Sequence, residues 1–335
     1  MISSGRSTPT SASSERSAAR ISERSINQNV RRASYAVRGP LVNRSIEIGK
    51  LLHPAEEGPH TYPFEKIIPC NIGNPHAFGQ HSITFVRDVI SMVVKPNLMN
   101  ATTIFAPDAI ERARRYLGAS KSIGAYSESQ GLLPVREEVA RFLGWRDGYA
   151  ACSSNILLTN GASEAVRFCL QTILRDPGSG FIDGVLVPFP QYPLYSAQIT
   201  LLQGTLVPYF LDESRGWSCN VSQLADALVK AKCNGICVRA IVVINPGNPT
   251  GQVLKEENLR EIVEFCVSHR ICLMADEVYQ DNVWREGVKF VSFRKVAMDL
   301  GAFEGPNPLQ LVSFHSVSKV SVRMHTNSCS LFLKK

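Results

Sequence analysis

Six short runs, apolar at almost every position, constrain this chain more than any other feature. They occupy residues 155–158, 184–187, 205–209, 240–244, 271–275 and 309–314. A strand with one solvated face alternates apolar and polar residues, whereas a strand buried on both faces does not. Between the runs lie segments with helical spacing, at 108–117, 134–143, 163–174, 221–232 and 255–268. Pro134 opens one of them, at a first-turn position where a missing N–H costs nothing. This alternation predicts an α/β fold: a mostly parallel sheet with helices on both faces and a ligand site at the carboxyl ends of the strands. No internal repeat is visible.

The unusual residues collect just past those strand ends. Asn160-Gly161-Ala162-Ser163 follows the first run and Pro188-Phe189-Pro190-Gln191-Tyr192 the second. Asn245-Pro246-Gly247-Asn248-Pro249-Thr250-Gly251 follows the fourth, Asp276-Glu277-Val278-Tyr279 the fifth, and His315-Ser316-Val317-Ser318-Lys319 the sixth. Five polar clusters at five strand ends imply one shared site.

Each cluster has a plain reading beside a chemical one. Gly161-Ala162-Ser163 would let backbone N–H groups and a hydroxyl approach an anion at the positive end of a helix, or Ser163 could simply cap that helix. Asp276 ends an apolar run, where a carboxylate is costly unless something cationic meets it. A protonated heteroaromatic nitrogen would serve, and a helix cap or solvated strand end is the alternative. Tyr279 and Asn248 could donate to a phenolate oxygen nearby. Lys319 is either a surface lysine or, after a buried strand and a hydroxyl-rich turn, a Schiff-base lysine. Neither G-x-G-x-x-G nor G-x-x-x-x-G-K-[ST] occurs, so dinucleotide and P-loop sites lack their fingerprints.

Composition narrows the function further. With 335 residues the chain can bury the core of one large domain or two smaller ones. The net charge of +7 looks like a nucleic-acid signal until it is located. Residues 1–34 carry +4 and residues 319–335 another +4, leaving the body at −1, with no basic footprint for DNA or RNA. The nine cysteines include one C-x3-C, Cys233 and Cys237, with no second pair or histidine to complete a zinc site. Free thiols in a reducing compartment and no metal are expected. No apolar stretch reaches membrane-spanning length. Residues 1–34, rich in Ser, Arg and Ala, read as a disordered basic extension. Glu15 and Glu23 argue against a mitochondrial presequence, so a cytoplasmic location is expected, with a mitochondrial one as the alternative.

Taken together, these segments resemble the class I/II aminotransferases, pyridoxal-phosphate enzymes of fold type I, and within them the alanine aminotransferase type. The narrower likeness rests on Tyr35-Ala36-Val37-Arg38-Gly39, Asn71-Ile72-Gly73 with Gly79-Gln80, Gly124-Ala125-Tyr126-Ser127, Pro190-Gln191-Tyr192-Pro193-Leu194-Tyr195-Ser196, Asn245 through Gln252, and Asp276 through Asn282. It covers about residues 30–319. The run at 245–252, followed in order by Asp276, Tyr279 and Lys319, is its most specific part.

The resemblance implies pyridoxal 5'-phosphate bound covalently to Lys319, which when freed would shuttle the substrate's Cα proton as a neutral amine. Asp276 would keep the pyridine nitrogen protonated. Asn248 and Tyr279 would bond the ring's phenolic oxygen, and Tyr192 would stack on the ring. Gly161, Ala162, Ser163 and Ser316 would hold the phosphate, Tyr126 would reach it from the partner subunit of a homodimer, and Gly73 would offer its backbone to the substrate carboxylate. The peptide bond before Pro249 is a candidate cis bond. The implied reaction transfers the amino group of L-alanine to 2-oxoglutarate, giving pyruvate and L-glutamate. The implied domains are an arm and substrate-loop segment at 35–100 and a large cofactor domain at 101–319.

After Lys319 the resemblance stops. Where the family carries a phosphate-binding arginine this chain has Asn327, with Arg323 out of register. Residues 320–335 are expected to be a divergent tail standing where the end of the large domain and the small domain would follow. Within it, 329–333 alternates like a weak strand, about where the family's next sheet strand falls. Two charge-assisted clamps, for phosphate and for substrate carboxylate, would then be missing, each worth roughly 1.5–3 kcal/mol. The 335-residue chain is therefore expected to turn over poorly or not at all, and robust alanine-dependent pyruvate formation would refute this. Two further readings stand beside the aminotransferase: a lyase or decarboxylase with the same cofactor, and a non-catalytic shortened isoform.

Overall fold

The computed structural model describes residues 25–35, 39–52, 62–69, 79–120, 124 and 126–319, together with the backbone of a strand at 330–333. Helices α1 (Gln28–Arg32), α2 (Pro40–Leu52), α3 (Thr84–Val94), α4 (Pro107–Ser120) and α5 (Leu133–Asp147) come first. Then β1 (Ile156–Leu158), α6 (Ala162–Ile173), β2 (Ile182–Phe189), α7 (Leu194–Leu201), β3 (Thr205–Asp212), β4 (Ser218–Cys219), α8 (Val221–Cys233) and β5 (Ile236–Ile244) follow. The chain continues through α9 (Glu256–His269), β6 (Cys272–Asp276), α10 (Phe293–Asp299), β7 (Leu311–Phe314) and β8 (Ser330–Leu333).

The strands form one eight-stranded sheet in the order β1-β8-β7-β6-β5-β2-β3-β4. The block from β7 to β3 is joined by parallel ladders. β8 runs antiparallel to β7 and β1, and β4 antiparallel to β3. β1 consequently points the same way as the parallel block. The sheet is mixed at its two ends and parallel through its centre, as the sequence predicts for the centre. The weak strand read at 329–333 is β8, which fills the gap between β1 and β7.

The reason the central runs carry no polar residues is visible in their packing. Along β5, Ala240, Val242 and Ile244 enter the core beneath α6 and α7, while Ile241 and Val243 enter the core beneath α8, α9 and α10. β6 divides likewise, Cys272 and Met274 to the first core, Leu273 and Ala275 to the second. Alternation persists, but both faces are apolar.

Of the five expected helices, α4 and α5 extend a few residues beyond their predicted ends and α8 extends by one, while α6 (162–173 rather than 163–174) and α9 (256–269 rather than 255–268) are displaced by one residue. The sequence does not mark α1, α2, α3, α7 or α10, and α1 lies inside the 1–34 extension expected to be disordered. α7 lies between two strands, with Leu194, Tyr195, Ala197 and Ile199 buried. Its polar residues Ser196, Gln198 and Thr200 alternate with the apolar ones from Tyr195 onward, so the segment shows the two-residue period of a strand and no 3.6-residue signal. α3 does space Phe85, Val89 and Met92 as a helix should; Val89 and Met92 are buried against Ala109, Ile110 and Ala113 of α4.

Candidate active site

The sheet register builds the site. Ile244, Asp276 and Phe314 stand side by side as the last residues of β5, β6 and β7. Asn245 donates its N–H to the Asp276 carbonyl at 2.9 Å, and Glu277 to the Phe314 carbonyl at 3.0 Å, so the row continues one residue past the strands. The loops carrying Asn248, Tyr279 and Lys319 therefore leave the sheet next to one another.

Asp276 is buried, 6% exposed, and a turn rather than a helix follows it, which removes its solvated-end and helix-cap readings. Its side chain lies on the face covered by α7, where the hydroxyl of fully buried Tyr195 donates to Oδ2 at 2.6 Å. Among the described residues, Oδ1 takes a single 3.4 Å contact, from the Val278 N–H, leaving acceptor capacity for a ligand. Burial raises this carboxyl above its ordinary value, while the bonds from Tyr195 and Val278 oppose the rise. Tyr195 lies inside a motif singled out in the sequence but carried no assigned role. Its signal was its spacing, three residues past Tyr192, which sets it inside the first turn of α7. Substituting Tyr195→Phe is expected to cost about 1–2 kcal/mol of stability. Because the bond favours the ionised carboxylate, the deficit should be larger at pH 8 than at pH 5 in urea melts. An equal deficit at both pH values would refute a role in holding the charge.

Asn248 Nδ2 donates to the Tyr279 hydroxyl at 3.4 Å, and Lys319 Nζ stands 5.7 Å from the centre of the Tyr279 ring. Burial and nearby Asp276 push the Tyr279 phenol up, while the Asn248 bond draws it down. Tyr192, half-buried, meets Tyr35 edge-to-face with ring centres 6.1 Å apart, and their hydroxyls touch. Burial first, then Tyr35, Tyr279 and Asp276, push the Tyr192 phenol upward. Asn248, Tyr279, Lys319, Asp276 and Tyr192 are thus neighbours. Tyr35, which entered the sequence reading only as part of a motif, reaches the same place.

The anion-binding candidates lie along the same edge. Gly161, with φ of 90°, is the N-cap of α6, a backbone setting in the left-handed half of the map that favours glycine. The alternative of a Ser163 cap is corrected: Ser163 lies inside the first turn and caps nothing. Glu164 instead accepts from the Asn160 N–H at 2.8 Å. Ser316 is buried and its hydroxyl bonds that of Ser318 at 2.7 Å. Tyr126 is fully exposed and points away from the described chain. Gly73, Asn327 and Arg323 lie outside the described residues. The Asn248–Pro249 bond is cis as expected, and so are Phe189–Pro190 and Asn245–Pro246.

Among the described residues no cluster of His, Cys, Asp and Glu could hold a metal ion, and Cys233 and Cys237 are separate, exposed thiols. No helix among them is long and apolar enough to cross a membrane.

Residues 88–320 match the family described as aminotransferase class I and II. Glutamate–glyoxylate aminotransferase 2 of Arabidopsis thaliana is 49% identical over 299 residues, covering 88% of this chain and 59% of that protein. Mitochondrial alanine aminotransferase 2 of the same plant is 47% identical over 314 residues, covering 92% and 56%. Alanine aminotransferase 1 of Rattus norvegicus is 44% identical over 297 residues, covering 88% and 58%. The chain thus spans less than two thirds of the length of these relatives. Among solved structures, an aminotransferase from Escherichia coli superposes with a TM-score of 0.66 at 26% identity, covering 92% of this chain and 62% of that one. An alanine aminotransferase from Pyrococcus furiosus gives the same TM-score at 20% identity, which bears on the fold alone, with 92% and 63% covered. With most of its length inside the family match and its sheet in the family's fold, the chain belongs to the class I and II aminotransferases.

Proposed function

We propose that this chain is the cofactor-binding part of an aminotransferase that uses pyridoxal 5'-phosphate to move an amino group between an L-amino acid and a 2-oxo acid. The observation that carries the reading is the convergence of Lys319, Tyr279 and Asn248 beside the buried carboxylate of Asp276. The donor set suits that cofactor: an amine for its aldehyde, a carboxylate with a spare lone pair for its ring nitrogen, and an amide and a phenol for its phenolic oxygen. When bound, pyridoxal phosphate supplies an electron sink for the substrate's α-carbon.

The protein's own part is to bind, orient and move one proton. Lys319 would hold the cofactor through Nζ and, once freed, would carry a proton on that nitrogen. Asp276, whose position Tyr195 fixes, would keep the cofactor's ring nitrogen protonated. Tyr192 would pack against the ring. Gly161, Ala162 and Ser163 offer the N–H groups at the start of α6 to the phosphate, joined by the Ser316 hydroxyl. Gly73 binds the substrate carboxylate, and Tyr126, projecting outward, reaches the phosphate in the partner subunit of a homodimer. L-alanine and 2-oxoglutarate are the substrates the motifs favour. The names of the relatives add L-glutamate and glyoxylate.

A single-turnover experiment tests this, because it detects slow chemistry. The chain is loaded with pyridoxal phosphate and mixed at stoichiometric concentration with L-alanine or L-glutamate. Transfer requires one equivalent of 2-oxo acid and an amino group retained on the cofactor, which glyoxylate or 2-oxoglutarate then removes. Loss of carbon dioxide, or an amino group released to solvent, would replace this reading with a decarboxylase or lyase.

A further inference from the structure

We propose that His315 is a positioning residue: a neutral ring protonated on Nε2, locked in that form by Gln280, which ties the strand end bearing Lys319 to the strand end bearing Asp276. The argument starts one helix away. Arg146, at the end of α5, donates through Nη1 to Gln280 Oε1 at 2.8 Å. A guanidinium can only donate, so the amide oxygen must face it and the amide nitrogen must face the other way. That nitrogen, Nε2, lies 2.8 Å from His315 Nδ1. An amide nitrogen also can only donate, so Nδ1 must accept and carries no proton. A ring with a bare Nδ1 holds its proton on Nε2.

The protonated side of the ring faces Glu277, whose Oε2 is 3.5 Å from Nε2. The other Glu277 oxygen accepts from the Phe293 N–H, at the start of α10, at 2.7 Å. Arg146 is itself held by two bonds to Asp147, at 2.7 and 2.9 Å. Asp147 in turn accepts from Ser292 and Arg294, both at 2.8 Å. The orientation of one imidazole is therefore set by a buried chain of donors running from α5 and α10.

The charged groups around the ring are Arg146 and Asp147 on α5, Glu277 and Asp276 at the end of β6, and Arg294 on α10 behind Asp147. Burial and the Arg146 charge hold His315 well below its ordinary value, so it stays uncharged near neutrality. Burial lifts the Glu277 carboxyl.

Each partner adjoins a residue of the candidate site. Glu277 follows Asp276, Gln280 follows Tyr279, and His315 precedes Ser316 in the turn that ends at Lys319. Strand alternation explains the division of labour: Asp276 points to one face of the sheet toward α7, and Glu277 points to the other toward α10. The tautomer itself does not depend on the proposed function, but the consequence for Lys319 rests on that reading.

Nitrogen-15 NMR of the histidine-labelled 335-residue chain tests the tautomer, with the His315 signals assigned by their loss in His315→Gln. The expected spectrum at pH 8 has a protonated Nε2 and a bare Nδ1, unchanged on lowering to pH 6. In Gln280→Glu, where an acceptor replaces the donor, Nδ1 is expected to gain a proton. A wild-type ring protonated on Nδ1, a charged wild-type ring, or no change in Gln280→Glu would each overturn the proposal.

The positioning role is read from pyridoxal phosphate titrated by absorbance and trapped with borohydride. His315→Phe removes the contacts to Gln280 and Glu277 and is expected to weaken capture at Lys319 about tenfold. His315→Gln keeps a donor toward Glu277 and should recover part of it, with circular dichroism confirming that both variants fold. Equal capture in wild type and His315→Phe would overturn the positioning role. No capture in the wild type would instead sink the functional reading and leave the tautomer standing.

Discussion

Lys319→Ala is expected to abolish covalent capture of pyridoxal phosphate and to slow the amino-transfer half-reaction by at least about 10³-fold. On the proposed reading the amine is the nucleophile for the aldehyde and also the base for the α-proton, and positioned proton transfer alone contributes about 10²–10⁴-fold. Among the described residues, Asn248 and Tyr279 beside it are engaged with each other and are poor bases at neutral pH. The measurement is borohydride reduction followed by peptide mass mapping. The wild-type adduct should sit on Lys319 alone, and Lys319→Arg should also be blank, since it keeps the charge but loses the nucleophile. An adduct on another lysine, or capture surviving in either variant, would sink the assignment.

Asp276→Asn is expected to weaken binding and stabilise the apo-protein together. A neutral amide cannot hold a proton on the ring nitrogen, so cofactor affinity should fall by about 10–100-fold, the worth of a charged hydrogen bond of roughly 1.5–3 kcal/mol. The apo-protein should respond the other way. Burial raises the Asp276 carboxyl, and a raised carboxyl lends stability at low pH that is lost as pH rises through its folded value. At pH 8 the ionised group is therefore a liability that asparagine removes, while its Oδ1 still accepts from Tyr195. Equilibrium unfolding at pH 8 should show the variant at least as stable as the wild type. A clear loss of stability with unaltered cofactor affinity would make Asp276 a structural residue. Sites that bind charge commonly carry this exchange of stability for function.

Most of the central sheet was legible beforehand, because a strand buried on both faces must be written in apolar residues. The runs at 240–244 and 271–275 mark β5 and β6 with errors only at their ends. α7 was not legible: its apolar residues alternate with Ser196, Gln198 and Thr200 at the period of a strand. The site divides in the same way. Asp276, Asn248, Tyr279 and Lys319 were visible because a polar residue ending a buried run is costly and conspicuous. Tyr195 was not, because a buried tyrosine in an apolar segment looks like core until its hydroxyl is seen on Asp276. Glu277, Gln280 and His315 lay inside the quoted clusters, yet nothing in their spacing said that they met one another or Arg146, 134 residues from Gln280.

What the amino-acid sequence determined alone was which residues are buried and which strand ends carry polar clusters, since hydrophobic patterning and the cost of burying charge act locally along the chain. What the tertiary structure decided was register and facing. Ile244, Asp276 and Phe314 are aligned by hydrogen bonds between strands, and that alignment turns Asp276 toward Tyr195 and Glu277 toward His315. A partner chosen across a sheet depends on a distance in space, and one-dimensional spacing does not contain it.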